Sequence, residues 1–220
     1  MAGLALAGSG WARRWQGAFL QFDRNIYLLL LFTLGKGFQL SIAALSTQLY
    51  VKSLGYPSAF VGLVVGMPAI GSLVAAVPVG MLADRVGRKP LLILSGVLNP
   101  MALVAIGLST SPGFLLGASF ANGVLSTAYW VTNIPMLMES SPEEQRVWVL
   151  SLNNFLLLGV GAIGGLIGGA VPEVVARLMH ASATSVIPLR WGVLAAAIIV
   201  FLPAPPLLWL GWPLFPLLRG

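Results

Sequence analysis

Gly80-Met81-Leu82-Ala83-Asp84-Arg85-Val86-Gly87-Arg88-Lys89-Pro90 sets four charges, two glycines and a proline between two long apolar runs. Asp84 closes the first run and stands four residues before Arg88, within pairing distance if the helix continues. A carboxylate at the edge of an apolar run is costly unless it is paired. Gly87 permits a turn, and Pro90 suits the first turn of a following helix. Gly80 lets another helix approach closely, as small residues do in membrane bundles. A plain basic loop explains Arg85, Arg88 and Lys89, but not Asp84 or the glycines.

The apolar runs on either side repeat along the chain. A membrane helix needs about 20 predominantly apolar residues, and six stretches qualify: Ile26–Val51, Ser58–Met81, Leu91–Leu108, Phe114–Met138, Val147–Val171 and Trp191–Trp212. Pro172 and Glu173 are expected to end the fifth. Connections are short except for residues 172–190, so neighbours run antiparallel in one bundle. The expected organisation is an N-terminal arm over residues 1–25, a six-helix bundle over 26–212 and a tail over 213–220. In the arm, Trp11, Trp15, Phe19 and Phe22 share one helical face, as in a helix lying in the membrane interface; a basic tail that only sets topology is the other reading.

Composition points the same way. Of 220 residues, 58% are hydrophobic and 8% charged, with a mean hydropathy of +0.93. Soluble domains carry about 25% charged residues, so so few charges cannot cover a water-facing surface. The net charge of +6 is spread over the ends of the runs, which argues against nucleic acid and for the positive-inside rule. With the N-terminus inside, the inner segments hold Arg13, Arg14, Arg24, Arg85, Arg88, Lys89, Arg146 and Arg219, against Lys52, Arg177 and Arg190 outside. Both termini are therefore expected in the cytoplasm. The chain lacks Cys, and its one histidine, His180, lies between runs. No thiol, paired-carboxylate or His-cluster chemistry follows, so neither an enzyme, a metal site nor a cofactor is expected.

The stretch from Gly80 to Pro90 resembles the signature of the major facilitator superfamily between its second and third helices: Gly, three residues, Asp, a basic residue, any residue, Gly, and two basic residues. Glu139-Ser140-Ser141-Pro142-Glu143-Glu144-Gln145-Arg146 is similar to the family's loop between helices four and five. The resemblance implies an all-α integral membrane protein, the N-terminal six-helix half of a twelve-helix fold built from 3+3 repeats. It implies secondary transport by alternating access, with Gly80, Asp84, Arg85, Gly87, Arg88 and Lys89 acting in conformational switching. Two departures stand out. Ser119 occupies the place, four residues before Gly123, where many proton-coupled members carry Arg. The run Gly164-Gly165-Leu166-Ile167-Gly168-Gly169 has Gly where antiporters of the family often have Pro. Read structurally, Gly161, Gly165 and Gly169 form one small-residue face for helix packing.

Polar stripes mark the candidate solute site. Thr33, Lys36, Gln39 and Thr47 fall within a third of the circumference of the first helix, and Ser119, Asn122, Ser126, Trp130 and Asn133 cluster on the fourth. Interhelical hydrogen bonding is the alternative use of such residues. By resemblance these two helices line the solute cavity near the bilayer midplane. Lys36 is the one charge well inside a run, and an ionisable residue there marks a functional site. It either snorkels, pairs with carbonyls or meets an anionic substrate. Asn99 and the pair Asn153-Asn154 are weaker candidates, and Pro68, Pro78, Pro203, Pro205 and Pro206 are expected to bend helices. The expected partners are the lipid bilayer of the cell membrane, a small solute, and a second six-helix half or a second copy. A truncated, inactive fragment is the competing reading.

Overall fold

The computed structural model describes residues 22–210, apart from residues 181 and 183. The arm up to residue 21 and the tail beyond residue 210 lie outside the described residues, and with them the interfacial-helix reading. Among the described residues six helices are long and apolar enough to cross a membrane: α1 Arg24–Ser53, α2 Ser58–Val86, α3 Arg88–Leu108, α4 Pro112–Ser140, α5 Glu143–Leu178 and α6 Val186–Trp209. No strand occurs among the described residues. The shortest, α3, has 21 residues and reaches about 31 Å at 1.5 Å per residue, the thickness of a bilayer's hydrocarbon core.

The helices outrun the apolar runs, because charged residues continue them at the membrane surface. α2 carries Asp84 and Arg85 inside its last turn and stops at Gly87, whose φ of 94° is a left-handed value that only glycine adopts freely. α3 begins directly afterwards. α5 begins at Glu143 and passes through Pro172 to Leu178, so Pro172 does not end it. The ring is buried, and tertiary packing supports the turn that lacks its N–H. Within α5 a π-helical turn spans Phe155–Gly159. α6 takes in Arg190, expected outside, and closes with a 3-10 turn at Pro205–Trp209.

Packing follows a repeat. α4 packs on α2 and α3, α1 packs on α5 and α6, and α3 meets α6. Exchanging the first three helices for the last three maps this pattern onto itself, which is the expected 3+3 arrangement. Glycines set the closest approaches. A side chain at Gly123 would overlap the Pro68 carbonyl of α2, and one at Gly71 would overlap the Phe120 carbonyl of α4. On α5 the tight face runs Gly161, Gly164 and Gly168, against Gly37 and Ser41, Phe38, and Ile42 respectively. Gly165 and Gly169 have nothing within 4 Å of an added Cβ, a correction to the expected face. The contact seam follows an i, i+3, i+7 course, whereas i, i+4, i+8 drifts off it. A Cβ at Gly80 likewise meets nothing within 4 Å among the described residues.

Two apolar clusters hold the ends of the bundle. One, at the end bearing the Asp84 loop, gathers Ile26, Leu29, Phe32, Leu92, Met136, Val149 and Leu207. The other gathers Ile42, Tyr50, Val64, Ile106, Leu115 and Val193. Along α1, Lys36 and Gln39 fall between Phe32 and Ile42, so the polar stripe lies between the two clusters.

Candidate functional site

The stripe on α1 becomes a network because α3, α4 and α5 each present a polar group to it. Asn99 of α3 is the hub. Its Oδ1 accepts from Lys36 Nζ at 2.9 Å and from Gln39 Nε2 at 2.8 Å. Its Nδ2 donates to Ser126 Oγ at 2.8 Å and to the Asn122 carbonyl at 3.1 Å. Both lone pairs and both hydrogens of the amide are used. Lys36 Nζ also donates to Gln39 Oε1 at 2.7 Å. A second group adjoins it. Asn153 Oδ1 accepts from Thr33 Oγ1 at 2.8 Å and from Asn133 Nδ2 at 2.9 Å. Tyr129 joins the two groups: its hydroxyl donates to Thr33 Oγ1 at 3.3 Å, and its ring lies 5.4 Å from the Lys36 ammonium.

Burial makes this arrangement demanding. Lys36 is 5% exposed, and Thr33, Gln39, Asn99, Tyr129, Asn133 and Asn153 are buried with it. A charge taken out of water costs several kcal/mol, roughly, before compensation. The partners of Lys36 are neutral amide oxygens and a π face, and they solvate the ammonium without cancelling its charge.

A cavity of about 50 Å³ opens beside this network, lined by Lys36, Gln39, Asn99, Asn122, Ser126 and Trp130 with apolar neighbours. Its rim includes Leu40 and Trp130, 47% and 46% exposed. The cavity therefore lies at the flank of the bundle, not along its axis. Of the expected residues, Lys36, Gln39, Asn122, Ser126 and Trp130 line it, and Thr33 and Asn133 belong to the adjoining hydrogen-bonded group. Thr47 and Ser119 are not brought to it. Thr47 stands eleven residues beyond Lys36, about 16 Å along the helix. Ser119 is buried elsewhere, its hydroxyl without a partner among the described residues.

Tyr129 was the residue that sequence reasoning missed. It lies three residues after Ser126 and four before Asn133, the spacing of one helical face. Asn99 and Asn153, the weaker candidates of the sequence, each accept two hydrogen bonds in the network. Their signal is an amide within an apolar run, which must find a partner on another helix.

The charged loop is tied down differently from the expectation. Arg88 pairs with Glu139 at the end of α4, not with Asp84. The break at Gly87 turns the chain between Asp84 and Arg88, so their four-residue spacing is no longer that of one helix. Asp84 and Arg85 are exposed, and Asp84 makes no ion pair among the described residues. Lys89 is buried and donates to the carbonyls of Leu208 and Leu210, at 3.2 Å and 2.8 Å, at the close of α6. Arg146 Nε donates to the Met138 carbonyl at 3.3 Å, a second donor beside the Ser141 N–H at the end of α4. Among the described residues no group of three His, Cys, Asp or Glu could hold a metal ion.

The model of the Major Facilitator Superfamily matches residues 27–218, all six helices. The chain belongs to this superfamily. The human solute carrier family 2 facilitated glucose transporter member 12 is 31% identical over 144 residues, 66% of this chain and 23% of that protein. A multi-drug resistance efflux pump PmrA homolog of Lactococcus lactis is 25% identical over 160 residues, 70% of this chain and 39% of that protein. A bacterial homolog of the human lysosomal transporter Spinster, in an inward-facing, unoccupied crystal structure, superposes with a TM-score of 0.68 at 18% identity. That match covers 89% of this chain and 43% of that one, and at such identity it shows the fold. This major facilitator chain thus spans less than half the length of the relatives it matches. It is a multi-pass membrane protein with the six-helix N-terminal half of the superfamily fold, and family and fold are those of transporters.

Proposed function

We propose that this chain moves a small solute across the cell membrane by alternating access, acting with a second six-helix bundle. The observation that carries the reading is the network around Lys36, set at mid-depth and at the flank of the bundle. Lipid over the cavity would set hydrocarbon against the Lys36 ammonium and the half-buried Asn122, and polar groups that meet lipid without a partner cost several kcal/mol, roughly, each. A second bundle over Leu40 and Trp130 would cover the cavity and enlarge it from about 50 Å³ to the few hundred Å³ of ordinary ligand sites. The exposed Asp84 and the open face at Gly80 fit the same reading, since neither meets a partner among the described residues. The second bundle is a second copy, a separate chain or a further part of a longer protein. The charge bias supports a cytoplasmic position for both ends of the bundle.

Reconstitution tests this. The chain is purified in mild detergent, its mass is measured, and it is placed in vesicles alone and with any co-purifying partner. Transport is expected from a dimer or a complex. A monomer of 23.1 kDa that transports by itself would refute the need for a second bundle. An assembled complex that transports none of a broad panel of sugars, drugs and organic acids would support the inactive-fragment reading.

A further inference from the structure

The wall of the cavity has an unbalanced charge. The chain has six acidic side chains: Asp23, Asp84, Glu139, Glu143, Glu144 and Glu173. Each lies just before α1 or within the terminal two turns of a helix. Lys36 is the thirteenth residue of the thirty in α1, and the single ion pair among the described residues joins Arg88 to Glu139. An ammonium has three hydrogens, and two are engaged by Gln39 Oε1 and Asn99 Oδ1. The acceptors are neutral and already shared, since Asn99 Oδ1 also takes Gln39 Nε2. Beyond these the ammonium has the Tyr129 ring, 5.4 Å away, so at the cavity wall it meets neutral partners and no carboxylate among the described residues.

The rest of the wall reads the remainder of a ligand. Asn122 and Ser126 add small polar groups. One turn further along the same helix, Trp130 packs edge-on to Tyr129 with ring centroids 5.2 Å apart, and Leu40 and Leu103 add apolar surface. A flat apolar body fits against that wall while a single anionic head meets Lys36. A dianion would bring a second charge for which this wall has no cation.

We infer that the cavity binds a small organic monocarboxylate with a flat apolar body, its carboxylate on Lys36 and its body against Trp130. This rests on the reading of the cavity as the solute site and names the class of solute. The bound carboxylate replaces the missing counter-charge, so substrate, not a protein carboxylate, neutralises Lys36.

The probes are benzoate, phenylacetate and cyclohexanecarboxylate, each beside its uncharged amide. They are titrated into the assembled protein in nanodiscs, and binding is read by calorimetry. Each carboxylate is expected to bind at least about tenfold more tightly than its amide, as for a buried hydrogen-bonded charge pair. Lys36→Met and Lys36→Gln should abolish that preference while amide binding persists, and Lys36→Arg should retain part of it. Retained amide binding shows in the same experiment that the variants are folded. Carboxylates and amides that bind alike in the wild type overturn the anion inference but leave the cavity reading standing. Absence of binding by every probe overturns the inference. A Trp130→Ala variant binding no less tightly than wild type, with the carboxylate preference intact, overturns the placement of the apolar body.

Discussion

A methyl group at Gly123 tests the helix crossing that carries the site. A Cβ there would overlap the carbonyl and Cα of Pro68, which are backbone atoms and cannot swing aside. Restoring a separation of about 3.5 Å requires α2 and α4 to part by on the order of 1 Å. The same shift stretches the bond from Ser72 Oγ to the Gly123 carbonyl, now 2.9 Å. Overpacking of this kind costs about 1–3 kcal/mol. At about 2–4 °C per kcal/mol for a chain of this size, the melting temperature should fall by several degrees. Gly117, on the same helix, is the control, because an added Cβ meets nothing within 4 Å. Gly117→Ala removes backbone freedom from the unfolded chain and should stabilise by about 0.5–1 kcal/mol. Both variants are compared with wild type by thermal unfolding in one mild detergent, followed by tryptophan fluorescence. Because Asn122 and Ser126 flank Gly123, the first variant should also weaken binding at the cavity. Equal melting temperatures for Gly123→Ala and Gly117→Ala would refute the claim that α2 and α4 touch through backbone at this point.

Further expectations concern topology and the charged loop. The chain has no Cys, so single cysteines at the exposed Ser111 and Ser182 should react with impermeant thiol reagents applied outside sealed cells. One at Glu144 should not, and its labelling would reverse the orientation; Ser141 is unsuitable because it is buried. Asp84→Asn should leave the stability of the isolated chain within about 0.5 kcal/mol of wild type, as surface changes do, yet lower transport by the assembled protein at matched expression. Unchanged transport would reduce Asp84 to a bystander. Lys89→Met removes the donor to the Leu208 and Leu210 carbonyls and should destabilise the chain by about 1–3 kcal/mol. The check is limited proteolysis near the end of α6, where resistance equal to wild type would show that the clamp is idle.

Some of this was determined by sequence alone. Six spans were legible because lipid demands about 20 apolar residues in a row, and that demand is local. The family was legible because Asp84, Gly80 and Gly87 stand where a simple basic loop needs none of them. Helix ends were less legible, because charged residues such as Asp84 and Glu143 extend a helix past its apolar run, and because a packed bundle tolerates Pro172. The partners of Lys36 were decided by tertiary structure. A stripe on one helix shows which face is polar, but which amide meets it depends on how α3 and α5 cross α1. Asn99 lies 63 residues from Lys36, and Asn153 lies 120 from Thr33. The same holds for Arg88, which four-residue spacing offered to Asp84 and the fold gave to Glu139. Spacing decides contacts within one helix; between helices, the tight crossings at Gly71, Gly123, Gly161 and Gly164 do so, because they set which faces meet.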